Sequence, residues 1–375
     1  MNTMNTYQRC NRCIMDTTVT DIKFDENGNC NYCTEYIDSY GRITADKKHR
    51  AFKLDQLKKA IKEAGKSNDY DCIVGVSGGL DSSYVLYVVV KQFGLRPLAV
   101  HLDNGWNTEL SVSNIDKLCK VLGVDLFTCV SEWEEFKKMQ LAFFRANVID
   151  IEMLTDHAIQ ALLYKIAKEK GIKYILAGTN MAHEGMRIPP GWGHVKLDSR
   201  NIKSICRKYG QGVRIETFNL MGLMKYLKYL FINRIKWISL LDYLDYSKEN
   251  AINVLTKSAG WKPYEKKHYE SIFTRFYQGY ILPWKFGVDK RLMHYSTLIC
   301  SGQMTRDEAL ALMQKPTYEN QDQLAEDKKY VLKKLGLNDE EFASYLRAHG
   351  VPHDYYPSDK WLFEKLVDLK RMLNR

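Results

Sequence analysis

No stretch of about 18 or more residues in this 375-residue chain is free of charge, so none reads as a membrane-spanning helix. The nearest candidate, residues 220–244, is interrupted by Lys225, Lys228, Arg234, Lys236 and Asp242. The opening residues lack the apolar core of a secretory leader, so none is expected. Internal repeats and low-complexity tracts are missing too, which excludes solenoids and disordered linkers. The nine cysteines are an odd number and argue against a disulfide framework. Together these absences point to a reducing, cytoplasmic setting.

What is present reads as a globular chain. Hydrophobic residues make up 45% and aromatics 12%, enough for one large domain or two smaller ones. The formal charge of +10, from 55 Lys and Arg against 45 Asp and Glu, suits an anionic partner. A nucleotide, a nucleotide sugar, RNA or a membrane surface would each qualify, and so would no partner at all, the charge being a solvated basic face.

Short hydrophobic runs alternate with helical patterns. Strands are expected at 71–76, 97–102, 124–130 and 173–177, and helices at 82–92, 109–122, 133–148 and 155–170. This alternation predicts an α/β fold with a doubly wound parallel sheet and right-handed crossovers. Residues 180–214 lose periodicity and read as a long functional loop. Beyond 219 the pattern is helical, at 220–244, 248–256, 264–278, 305–313, 323–334 and 339–348. The expected organisation is a cysteine-rich ribbon and linker over 1–50, a nucleotide domain over 51–218 and a helical C-terminal region over 219–375.

The sharpest local signal is Ser77-Gly78-Gly79-Leu80-Asp81-Ser82, placed between a hydrophobic strand and an apolar helix. Glycines let the backbone approach an anion, and amides at a helix start point toward it. The serine hydroxyls add donors, and Asp81 could hold Mg²⁺ against phosphate oxygens. An ordinary Gly-Gly turn is the plain alternative. Residues 60–67, ending Gly65-Lys66-Ser67, fit a looser, alanine-first Walker A motif but lie at the end of a charged helix, so they read as a helix cap.

The cysteines carry the second signal. Cys10-x2-Cys13 and Cys30-x2-Cys33, separated by sixteen residues, have the spacing of a four-cysteine zinc ribbon. A structural Zn²⁺ is the leading reading, with an iron–sulfur cluster, redox disulfides or free thiols as alternatives. The remaining cysteines are scattered and read as buried and inert.

Strand ends and helix starts supply further candidates, because they line the ligand crevice of such sheets. Asp103 could contact ribose or adenine, or merely close an Asx turn. Gly178 and Thr179 end a later strand, where Gly178 would admit the nucleotide. Asp156 and His157 open a helix expected to be capped by Thr155, and could orient substrate or ammonia. Arg187, Lys196 and Arg200 concentrate charge in the long loop and could bind a diphosphate. Lys285 and Arg291 lie in an aromatic and charged stretch, 283–291, that could hold a uridine and its phosphates or be a surface turn. The amphipathic 220–244 stretch reads first as core, then as a peripheral membrane contact or a partner face.

The Ser-Gly-Gly-x-Asp-Ser order is the signature of the PP-loop ATP pyrophosphatases. Taken with residues 9–13 and 25–33, with His101-Leu102-Asp103-Asn104-Gly105-Trp106, with Asp198-Ser199-Arg200 and with residues 284–291, it resembles the N-acetyl sugar amidotransferases of surface-polysaccharide and nonulosonic acid biosynthesis. The resemblance implies use of ATP and Mg²⁺ and release of AMP and pyrophosphate. It also implies a nucleotide-linked N-acetyl sugar whose acetamido group becomes an acetamidino group. The chain has no glutaminase signature, so the resemblance implies ammonia from a separate glutaminase subunit, with a channel-forming synthase-like subunit as the further partner it suggests. The competing enzyme reading is a PP-loop tRNA-modifying enzyme. Against it, the Cys-x-x-Cys pair of thiolating relatives is missing near 155–162 and no aromatic-interleaved basic stripe is seen, so no nucleic-acid partner is expected. A non-catalytic zinc-ribbon interaction module is the third reading.

Overall fold

The computed structural model describes residues 7–44, 47–264 and 269–373. Two helices, α1 (Asn31–Thr44) and α2 (Lys47–Ala64), lead from the cysteine-rich segment into β1 (Cys72–Gly75). The alternation then continues with α3 (Leu80–Lys91), β2 (Pro97–Asp103), α4 (Glu109–Leu122), β3 (Leu126–Val130), α5 (Trp133–Arg145), α6 (Met153–Glu169) and β4 (Tyr174–Ala177). After α7 (Met181–Glu184) and α8 (Ser199–Tyr209) the chain returns to the sheet as β5 (Lys236–Ser239).

The five strands lie in the order β3-β2-β1-β4-β5. All pairs are parallel, with Val74 beside Ala99, Ile73 beside Ile175 and Leu176 beside Ile238. Alternate residues face opposite sides of the sheet. Cys72, Val74 and Leu176 enter one core, with α3, α4 and the helix Lys248–Ala259. Ile73, Val100 and Ile175 enter another, beneath α6. Burial on both faces is why β1, β2 and β4 are nearly continuous hydrophobic runs, whereas the edge strand β3 is largely exposed. A third core joins the ribbon, α5 and the C-terminal helices. Winding reverses between β1 and β4, and a crevice at their carboxyl ends is the expected ligand position.

Four sequence expectations need correction. The 220–244 stretch is not one helix. It forms Leu223–Leu227, a π-helical turn Lys228–Ile232, then β5 and a 3-10 turn Leu240–Tyr243. Arg234 takes φ +57°, which breaks the helix, and the β-favouring Trp237 and Ile238 pair with β4. The sheet therefore draws its last strand from beyond residue 218. The long loop also contains structure. Asp198 accepts a hydrogen bond from Asn201 N at 3.0 Å and caps α8, a start that the surrounding basic residues concealed. Residues 283–291 are not a helix-poor turn, since helix Leu282–Phe286 ends at Gly287 and helix Arg291–Cys300 follows. The 264–278 helix begins only at Ile272 among the described residues, and part of that expectation lies outside them. No helix of the described residues is long and apolar enough to cross a membrane.

Candidate active site

The Ser77–Ser82 loop sits at the carboxyl end of β1. Gly78 takes φ +79°, and a Cβ there would lie 2.6 Å from the Ser111 carbonyl oxygen, so both conformation and space require glycine. Its own carbonyl accepts from Trp261 Nε1 at 3.2 Å and from the Tyr264 hydroxyl at 3.1 Å. Ser77 and Ser82 place their hydroxyl oxygens 3.2 Å apart. Gly79 precedes α3 without a side-chain cap. A helix start left uncapped by side chains presents donor amides and the positive end of the helix dipole. The Asp81 carboxylate accepts from the Tyr246 hydroxyl, which arrives from beyond β5. At the end of β4, Gly178 comes so close that a Cβ would lie 2.7 Å from Ser82 N.

Beside this loop opens a cavity of about 1420 Å³. Ser77, His101, Asn107, Gly178 and Thr179 line its sheet side. Asp156, Glu152, Arg187 and Lys196 form the middle, and Gln278, Lys290, Arg291 and Lys315 belong to the C-terminal wall. Its volume exceeds the roughly 300–1,000 Å³ of a pocket for one drug-sized ligand, which leaves room for two substrates.

Lys196 Nζ lies 2.7 Å from Asp150 and 3.0 Å from Asp156. Burial alone would raise the Asp150 carboxyl, but Lys196, His353 and Lys290 hold it down to about 2. Burial alone would lower Lys196, yet the two carboxylates raise it above its ordinary value. Lys196 is thus a fixed cation at the cavity wall. Asp156 is the more exposed of its two partners, its side chain 44% accessible.

The other sequence candidates are placed as follows. His157 is fully buried and does not line the cavity. Met221 N donates to its Nε2 at 2.9 Å, so the ring is neutral and its Nδ1 donates to the Lys196 carbonyl at 2.7 Å. Burial lowers its pKa to about 4. The ring holds the backbone of 196 and 221 and cannot meet substrate. Thr155 does not cap α6, which begins two residues earlier; it accepts from Asn104 Nδ2 at 2.9 Å. Asp103 closes an Asx turn onto Gly105 N at 2.9 Å and does not line the cavity. Arg200 pairs with Asp359 on the surface, 60% exposed and outside the cavity. Lys285 donates to the carbonyls of Tyr345 and Ala348, and burial lowers it to about 8. It secures a C-terminal helix and is no cavity ligand. Arg291 does line the cavity, clamped by Asp289 at 2.7 Å.

Four residues that sequence reasoning left unassigned also shape the site. Gln278 donates to Glu152 at 3.0 Å, and Lys290 stands 4.0 Å from the same carboxylate. Tyr246 reaches Asp81 as described. Glu152 and Lys290 stood within noted segments, but nothing in the local pattern of Gln278 or Tyr246 marks them.

The four ribbon cysteines are fully buried, and their sulfurs lie within 4.8 Å of one another. Cys10 and Cys33 sulfurs are 3.7 Å apart, and those of Cys13 and Cys30 are 3.6 Å apart. Zn–S bonds of about 2.3 Å make a tetrahedron with edges of about 3.8 Å, so the thiols present fit a zinc site. Backbone amides of Cys13 and Cys30 donate to the Cys10 sulfur at 3.4 and 3.2 Å, as a thiolate would require. Arg306 donates to the carbonyls of Cys10 and Cys13, both at 3.1 Å, and so ties the first knuckle to the C-terminal region. One sequence expectation changes here: Cys300 is not isolated, since Cys13 and Cys33 influence the titration of its thiol.

Family models match two parts of the chain. Residues 52–209 match the NAD synthase family, and residues 270–369 match the C-terminal domain of WbpG-like lipopolysaccharide biosynthesis proteins. The chain couples a PP-loop domain of the NAD synthase kind to a WbpG-like C-terminal domain. That combination agrees with the N-acetyl sugar amidotransferase family that the motifs resemble. The NAD synthase match supports an ATP-dependent enzyme of the ligase or amidotransferase type. Among solved structures, an NH3-dependent NAD synthetase from Campylobacter jejuni is 17% identical, covering 59% of this chain and 100% of its own, with a TM-score of 0.29. An NMN synthetase from Francisella tularensis is 14% identical, covering 60% and 99%, with a TM-score of 0.28. The U34-tRNA thiolase NcsA from Methanococcus maripaludis, with its [4Fe-4S] cluster, is 14% identical, covering 82% and 88%, with a TM-score of 0.31. No curated protein matches the chain.

Proposed function

We propose that this chain adenylates the acetamido oxygen of a nucleotide-linked N-acetyl sugar and replaces that oxygen with nitrogen from ammonia, giving an acetamidino sugar, AMP and pyrophosphate. The observation that carries the reading is one cavity lined by Ser77, the first residue of the glycine-rich loop, and by residues of the WbpG-like domain such as Gln278, Lys290 and Arg291.

An amide carbonyl is a poor electrophile because its nitrogen donates into it. Attack of the amide oxygen on the α-phosphorus of ATP forms an O–P bond and expels pyrophosphate. The resulting imidate carries AMP as a leaving group. Ammonia then adds to carbon, loses a proton, and AMP departs with the oxygen. The loop amides and the Ser77 and Ser82 hydroxyls would hold the phosphates, and Mg²⁺ bound through Asp81 would neutralise their charge. Lys196, held between Asp150 and Asp156, would orient the accessible Asp156 to receive the proton from ammonia. Arg291 and Lys290 are the cavity cations for the sugar diphosphate. In this reading ammonia comes from a separate glutaminase, the enzyme works in the cytoplasm, and Zn²⁺ is structural. Any membrane contact is peripheral, at the exposed Met224, Phe231 and Ile232.

The test is incubation with ATP, Mg²⁺, ammonium and a panel of UDP-acetamido sugars. AMP and pyrophosphate should appear only with the right sugar, which should gain an amidine. Formation of ADP would sink the reading, and efficient use of glutamine by the chain alone would remove the partner subunit.

A further inference from the structure

We infer that the second cysteine knuckle is a brace for the wall of the cavity, acting through Arg187. Tyr32 stands between Cys30 and Cys33, so any metal held by those thiols fixes its ring. The Arg187 guanidinium lies over that ring, 4.4 Å from its centroid. Arg187 also reaches Asp21 at 3.0 Å and Glu35 at 3.1 Å. The Tyr32 hydroxyl donates to Asp21 and closes the set. One turn along α1, the Tyr36 hydroxyl donates to the Met181 carbonyl at 3.0 Å. The knuckle thus grips the chain at residues 181 and 187, and the intervening and following residues, 183–184 and 187–196, line the cavity.

Charge decides between bracing and ligand binding for Arg187. Its single positive charge already faces two carboxylates, and a diphosphate brought there would meet Asp21 and Glu35 as well. Those contacts raise the arginine above its ordinary value against the effect of burial. Arg187 is therefore a positioning residue, and the cavity cations Lys290 and Arg291, each within 4.0 Å of one carboxylate, suit the anionic substrate better. A metal usually called structural would then set how well the acceptor binds while leaving the Ser77–Ser82 loop untouched.

The experiment is hydrogen exchange on the full chain, with zinc bound and after chelation. Amides of 183–185, 192 and 194 are hydrogen-bonded and so report on the wall. Chelation should speed their exchange by about tenfold, the worth of roughly one charge-assisted contact. The Asp21→Asn/Glu35→Gln double variant should do the same with its zinc content unchanged, which separates bracing from unfolding. Its KM for the acceptor should rise with kcat held, an arm that rests on the proposed reaction. Unchanged exchange in the double variant would overturn the brace. Absence of AMP formation by the wild-type chain would overturn only the reaction.

Discussion

The hydroxyl of Tyr246 donates a hydrogen bond to Oδ1 of Asp81 across 165 positions of sequence. The Tyr246 ring packs against Tyr84 at 5.5 Å and His183 at 5.2 Å, so it links the phosphate loop to the cavity wall. Burial, reinforced by the Asp81 charge, raises the phenol above its ordinary value, so it remains a donor. One carboxylate oxygen is thereby engaged by the phenol, and the other would remain to hold Mg²⁺. Tyr246→Phe should lower AMP formation by about tenfold while costing about 1 kcal/mol of stability, the usual worth of one hydrogen bond. Asp81→Asn should abolish AMP formation with the fold intact. Steady-state rates and urea midpoints measure both, and a full rate in Tyr246→Phe would mean that Asp81 is oriented without it.

Lys196 and Asp150 form a pair whose halves are not independent. Asp150 is 2% exposed, and removing its cation leaves a buried charge without compensation. Lys196→Met should destabilise by about 3 kcal/mol or more. Adding Asp150→Asn should recover most of that loss, because the uncompensated charge goes with it. The double variant should still be inactive if Lys196 acts in the cavity. Folding measurements on the cycle of single and double variants test the coupling, and additive losses would refute it.

Two buried histidines set a pH window. Burial lowers His157 to about 4 and His353 to about 3. Unfolded histidine titrates near 6.5, so between those values the unfolded chain binds the extra protons. Both groups therefore contribute stability in full above about pH 6.5 and lose it as pH falls toward about 4 and below, on the order of 3 kcal/mol each. Urea midpoints should drop across this range. His157→Gln can keep one donor and one acceptor, so it should flatten the slope more than it lowers stability near neutrality. A slope unchanged in that variant would show that His157 does not carry the effect.

The centre of the sheet and its loop were legible because β1 and β4, which flank the loop, are buried on both faces. Cys72–Val76 and Tyr174–Ala177 could be read from composition alone for that reason. The cysteine spacing was legible because metal geometry restricts it. β5 was hidden, since Trp237 and Ile238 sit within an amphipathic run and only a positive φ at Arg234 breaks it. Site residues divided along the same line. Backbone cradles such as Gly78 and Gly178 leave a trace in sequence. Side chains such as Arg200, Lys285 and His157 do not, because these three are taken up by Asp359, by helix-end carbonyls and by the backbone of a neighbouring loop. Gln278 and Tyr246 came to the cavity through tertiary packing that no local pattern encodes.

Gly178 offers a sharper test of the loop than any side chain in it. Its φ does not demand glycine, and strand β4 would accept alanine by conformation. The constraint is space, because a Cβ would stand 2.7 Å from Ser82 N and 2.8 Å from the Asp81 carbonyl carbon. Both neighbours are backbone and neither can rotate away. Gly178→Ala must therefore push β4 and the first turn of α3 apart by some tenths of an ångström. Overpacking of this kind costs about 1–3 kcal/mol. The loop amides would move with it, so KM for ATP should rise by about tenfold or more, since misplacement below 1 Å is enough to weaken a positioned contact. Gly94→Ala is the control for substitution itself, lying at a surface turn where a Cβ meets nothing within 4 Å. Its φ of +61° should cost stability without changing KM. If Gly178→Ala lost stability but bound ATP as the wild type does, the Ser77–Ser82 loop would not be the phosphate site.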